Sequence, residues 1–212
     1  MDPAVPAWVG LVSAALFGCS AYLATRLAAV VYGNDAPLED GPVPGRPPVI
    51  ALVAIGAAIG AIAALRGADV PSLAIVDLIV FALCAVIWTD VTRGFIGDWF
   101  VLPPLGIVLV LGALKGDVVP MAVAIAIVTV PFAVAAFASK GMGMGWGDVK
   151  LVALGAALLD VQTSILMYAV ACVVACGVAF ARRKRAEPIA FAPYLAGAIA
   201  LGMLFPRTPL FV

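Results

Sequence analysis

The sequence predicts an all-α, polytopic integral membrane protein of about eight transmembrane helices (six to eight). Hydrophobic residues make up 65% of the chain and charged residues 11%, against about 25% charged in a soluble globular domain. Mean hydropathy is +1.20. The apolar residues fall into continuous runs of membrane-crossing length, and a soluble core could hide so much apolar side chain only by exposing a large sticky patch.

A hydrocarbon core of about 30 Å needs about 20 helical residues per crossing. On that measure the apolar runs are residues 8–31, 49–65, 72–88, 99–114, 119–138, 149–159, 164–181 and 189–205. The first run follows almost no basic residues and exceeds the length of a signal-peptide core, so it is expected to be a retained span. The sixth, at eleven residues, is short and needs the Gly-rich stretch before it or shelter from neighbouring helices. Frequent Gly and Ala fit close helix packing. No internal repeat is visible, and residues 1–212 read as a single membrane domain.

Orientation follows from Lys and Arg in short loops. Arg182, Arg183, Lys184 and Arg185, between runs seven and eight, predict a cytoplasmic loop. Counting back makes the loops at 90–98 and 140–147 cytoplasmic too, supported by Arg93, Lys140 and Lys150. Loops 66–70, 115–117 and 160–162 then face outward. The 33–48 connection is also cytoplasmic, although it carries Asp35, Glu39 and Asp40 against Arg46 alone; acidic residues count little in this rule.

The formal net charge is zero, and the basic quartet is explained as a membrane anchor, so nucleic-acid binding is not expected. With no histidine, Ser-His-Asp and Cys-His catalysis and the usual zinc ligand sets drop out. Cys19, Cys84, Cys172 and Cys176 all fall in apolar runs without a CxxC pair and are assigned to packing. No metal and no cofactor is expected.

Two acids stand out. Asp90 closes the third run (AVIWTD) and Asp148 opens the sixth (GMGMGWGDVK), with 57 residues and two complete spans between them. The chain therefore leaves and returns to the same membrane face, and the carboxylates are able to meet. Ionisable groups at such depth are costly and usually face a bundle interior or a water-filled cavity. Gly141, Gly143, Gly145 and Gly147 alternate before Asp148, leaving the backbone free to adopt φ > 0 and to admit another chain closely; a strip of this kind suits an extended peptide held by main-chain hydrogen bonds. Peptide hydrolysis by two carboxylates needs one ionised and one protonated group, and two close carboxylates share a proton. The proton belongs to the pair, so neither acid receives a separate role. Lys150 is expected to snorkel to the surface. Asp77 is 13 residues from Asp90, about 20 Å along a helix, so it belongs near the outer face and marks the start of its span.

These segments resemble the type IV prepilin peptidases and preflagellin peptidases, aspartyl proteases with a GxGD motif. Gly145-Trp146-Gly147-Asp148-Val149-Lys150-Leu151 is similar to the family's GxGDxKL segment. Asp90, followed by Ile96 and Asp98, is similar to its first motif, an aspartate some six residues before Ile-Pro-Asn. Ile189-Ala190-Phe191-Ala192-Pro193-Tyr194-Leu195 resembles its Pro-Phe-Gly-Pro segment. The likeness spans residues 72–205 as a peptidase core. It implies catalytic Asp90 and Asp148, with Gly145, Gly147 and Lys150 as motif or substrate-binding residues. It also implies cleavage, at the cytoplasmic face of the inner membrane, of the short basic leader of prepilin-like precursors (pilin, pseudopilin or Flp/Tad-type), typically after glycine. Long members carry two CxxC pairs in a methyltransferase domain after the first span; the short 33–48 loop has no cysteine, which implies peptidase activity alone.

The chain departs from the family at Gly97 and Asp98, which replace Pro-Asn, and at two Ala residues in the last segment. Asp90 keeps the family's spacing to Ile96, whereas Asp98 begins run four and is expected to act as a helix N-cap. Rival readings are a transporter or channel with buried acids, a presenilin-like GxGD protease, whose Tyr-Asp and Pro-Ala-Leu patterns are missing, and a non-enzymatic pilus assembly subunit.

Overall fold

A computed structural model describes residues 6–34, 45, 48–139, 144–181 and 190–204. The basic quartet, Asp35, Glu39, Asp40, Arg46, Lys140, Gly141, Gly143 and Ile189 lie outside the described residues. The described residues form helices: α1 (Ala7–Tyr32), α2 (Val49–Leu65), α3 (Val70–Arg93), α4 (Asp98–Lys115), α5 (Val118–Ala138), α6 (Trp146–Leu158), α7 (Val161–Ala181) and α8 (Ala192–Gly202). Each matches one apolar run. An all-helical backbone is what lipid demands, since every N–H and C=O must be satisfied within its own segment.

Five of these helices, α1, α3, α4, α5 and α7, are long and apolar enough to cross a membrane; α2 and α8 are shorter apolar helices. The 13-residue α6 buries nine of its residues, among them Leu151, Leu154 and Leu158 with no exposure. Its neighbours α4, α5, α7 and α8 give it the shelter that its length requires. By contrast α5, with 21 residues, buries only Ala124, Val128 and Ala136.

Local chemistry sets the boundaries. The Asp69 side chain accepts from the Ser72 N–H at 3.1 Å, capping α3 with Pro71 in its first turn. The helix ends at Gly94, whose φ of 78° is a conformation glycine reaches without a Cβ penalty. Because α3 begins at Val70, Asp77 lies two turns inside the span rather than at its start. Similarly, α4 takes Gly97 as its N-cap and Asp98 as its first residue, so Asp98 does not cap it.

Small residues set the helix spacing. In α2, Gly56 and Gly60 lie four apart and face α1; a Cβ on Gly60 would stand 2.5 Å from the Phe17 ring, and one on Gly56 would stand 3.0 Å from the Ala21 Cβ. This is the close small-residue contact common between membrane helices. Cysteine packing holds only in part. Cys84 is buried and Cys172 half-buried, whereas Cys19 and Cys176 lie on the outer face of the bundle, where lipid is as good a solvent for a thiol as a protein core.

The bundle has two distinct ends. At one, the Arg93 guanidinium donates to the Gly33 carbonyl, the Gly45 N–H to the Val91 carbonyl at 2.9 Å, and the Ala192 N–H to the Asp90 carboxylate. At the other, Arg66 donates to the Leu204 carbonyl. The C-terminal ends of α1 and α3 therefore share one face with the N-terminal ends of α4, α6 and α8.

Candidate active site

Asp90 lies in the last turn of α3 and Asp148 in the first turn of α6. They are 6% and 9% exposed, and are the only buried acids among the described residues. Gly147, next to Asp148, packs against Ile96 of the loop that follows Asp90, where an added Cβ would stand 2.7 Å from the Ile96 Cβ. The spacing argument therefore holds in three dimensions, with both acids at one end of the bundle.

Each carboxylate accepts a backbone N–H from the start of a helix. Asp148 Oδ2 accepts from Gly145, the N-cap of its own α6, at 3.2 Å. Asp90 Oδ2 accepts from Ala192, the first residue of α8, at 3.0 Å. Helix N-termini carry unsatisfied donors and partial positive charge, so they hold carboxylates without a basic side chain. The Ala192 contact gives the third motif segment a role that the sequence did not reveal. Across 102 residues, the α8 entry orients the first acid, and the donor is a backbone group with no sequence signature.

Glycine works here through volume rather than through left-handed backbone. Gly145 is extended, with φ −74°, and the positive-φ glycines among the described residues are Gly67, Gly94 and Gly116. Gly145 and Gly147, at the entry of α6, do not use the freedom to adopt φ > 0. Gly147 is instead filled from within the protein, since a Cβ there would stand 2.7 Å from the Ile96 Cβ. Gly147 thus lets the loop after Asp90 pack against the helix that carries Asp148. A Cβ on Gly97 would likewise meet the Tyr32 ring at 2.6 Å; that ring packs edge-on against Phe95 and Phe100, with centroids 5.2 and 5.9 Å away. Gly97 therefore leaves room for the Tyr32 ring.

Lys150 does not snorkel free. Its Nζ lies 2.7 Å from Asp98 Oδ1, with the two side chains 38% and 53% exposed. The pair joins the start of α4 to α6 beside the two acids. Sequence reasoning treated the two residues separately; their opposite charges on facing motif segments were the available signal. Asp77 lies far from this cluster, with Oδ1 buried and lacking a hydrogen bond.

An open groove of about 490 Å³ is lined by Phe132, Ala135 and Ser139 of α5 and its C-cap, Cys172 of α7, and Met144 and Phe191, which precede the two donor residues in the chain. Among the described residues, no three His, Cys, Asp or Glu side chains are grouped so as to hold a metal ion.

Residues 77–181 match the model of the type IV leader peptidase family, which bears out the resemblance drawn from the motifs. The match takes in both acids and the first two motif segments and ends before the third. No curated protein and no solved structure matches the chain.

Proposed function

We propose that this type IV leader peptidase-like membrane protein is an aspartyl endopeptidase in which Asp90 and Asp148 form the catalytic pair, cutting the leader from prepilin-like precursors at the cytoplasmic face of the inner membrane. The observation that carries the reading is the convergence of the two buried acids, each held by a helix-start N–H.

Such a pair hydrolyses a peptide by sharing one proton. The ionised carboxylate takes a proton from water as its oxygen attacks the scissile carbonyl carbon, and the protonated partner gives its proton to the carbonyl oxygen. Collapse of the tetrahedral intermediate breaks the C–N bond, and a carboxyl proton passes to the leaving amine. The pair as a whole holds the proton, so no fixed acid or base is assigned. Gly145 and Gly147 serve to hold Asp148 and to admit Ile96, and Lys150 ties the two segments through Asp98.

The side of attack follows from charge. α8 starts at the end where Ala192 meets Asp90, and the four consecutive basic residues that precede it in the sequence favour the cytoplasm. A leader cut there lies between a basic segment and the apolar helix that follows. Ordinary signal peptides are cut on the opposite side.

Cleavage of a co-expressed prepilin, read as a gel shift, tests the reading; an uncut precursor in the presence of inserted wild-type protein overturns it. With no histidine and scattered cysteines, cleavage by the purified protein is expected to continue in EDTA. Loss in EDTA with recovery on adding zinc would mean that water is activated by another route.

A further inference from the structure

The geometry points to the α5–α7 groove as the seat of the apolar helix that follows the scissile bond, so that the substrate enters sideways from the lipid rather than end-on from water. This rests on the proposed function. The groove's inner wall is continuous with the acids: Met144 precedes Gly145, whose N–H binds Asp148, and Phe191 precedes Ala192, whose N–H binds Asp90. Adjacent residues are 3.8 Å apart at Cα, so the groove's Met144 and Phe191 each stand one residue from a donor that holds a carboxylate.

The rest of the lining comes from α5 and α7. Phe132, Ala135 and Cys172 present apolar surface of a kind that suits a helix in lipid. α5 is the least buried of the membrane-length helices, with 11% of an 18-residue apolar stretch buried. An occupant that needs an apolar body outside and a polar peptide bond at the inner end has the chemistry of a leader-bearing apolar helix. A lipid tail or a second copy of α5 satisfies only the outer part.

The native Cys172 supplies the test. In the full chain carrying Asp148→Asn, with Cys19, Cys84 and Cys176 changed to Ser or Ala, a prepilin with single cysteines stepped along its apolar helix is co-expressed and oxidised. The expected result is disulfide capture by Cys172 at substrate positions spaced three to four apart, within about the first two turns after the cut. Capture without periodicity, or capture equal to that of a control chain whose only cysteine is Cys19 on the outer face of α1, overturns the groove; so does self-crosslinking of Cys172 in place of substrate capture. In parallel, Ala135→Trp, which adds bulk to an exposed groove position, is expected to raise KM about tenfold while kcat holds. Unchanged KM also counts against the groove. Wild-type cleavage separates the two ideas: cleavage without Cys172 capture rejects the groove alone, and no cleavage rejects the proposed function.

Discussion

The two ends of α3 each carry an acid in an apolar helix, and they differ in everything except residue type. Asp90, at the C-terminal end, is 6% exposed, takes a hydrogen bond from Ala192 and lies at the same end of the bundle as Asp148. Asp77, near the N-terminal end, is half-buried, with one carboxylate oxygen lacking a hydrogen bond and Ser20 beside the side chain. An acid inside a membrane helix therefore does not by itself mark a site. What distinguishes Asp90 is convergence: a helix-start donor, a second acid and a loop that packs tightly against that acid's helix.

The largest effect is expected from removing either converging acid. Asp90→Asn and Asp148→Asn should each lower prepilin cleavage by at least about 10²–10⁴-fold, the range for losing a positioned acid or base, with membrane insertion unchanged. Full activity in either variant, measured by gel shift, would sink the pairing. Loss in Asp98→Asn of the same size would move the first carboxylate there.

Next in size is the packing that brings the acids together. Gly147→Ala puts a Cβ 2.7 Å from the Ile96 Cβ, a clash that should cost about 1–3 kcal/mol as overpacking and displace the loop after Asp90, lowering kcat and thermal stability in detergent. Gly145→Ala is expected to be much milder, because its Cβ would meet only Asp148 Oδ2 at 3.4 Å with φ already at −74°. Equal damage from both would show that the motif needs flexibility rather than space.

The Asp98–Lys150 pair is more than a third exposed on each side, so screening limits it to about 1 kcal/mol, or about fivefold in rate if all of it acts on the transition state. Asp98→Asn should stay within that factor, and the double exchange Asp98→Lys with Lys150→Asp should recover what either single exchange loses. No recovery would leave the contact without a positioning role.

The smallest effect belongs to the other end of α3. Asp77→Asn should leave cleavage unchanged and thermal stability equal or higher, since it removes a charge that has an unsatisfied buried oxygen. A loss of cleavage would break the comparison between the two ends.

Hydropathy alone was enough to determine the fold class, a count of about eight helices and the shared face of Asp90 and Asp148. These are one-dimensional properties: segment length against bilayer thickness, and the parity of crossings between two residues. Sideways arrangement is another matter. Membrane helices are apolar on every side, so no amphipathic stripe tells which face of α3, α6 or α8 turns inward. The Ala192 N–H on Asp90, Ile96 against Gly147, Lys150 on Asp98 and the groove beside α5 were therefore decided only when the helices packed. Backbone donors, glycine volume and helix neighbours leave no periodic mark in a sequence that is uniformly apolar.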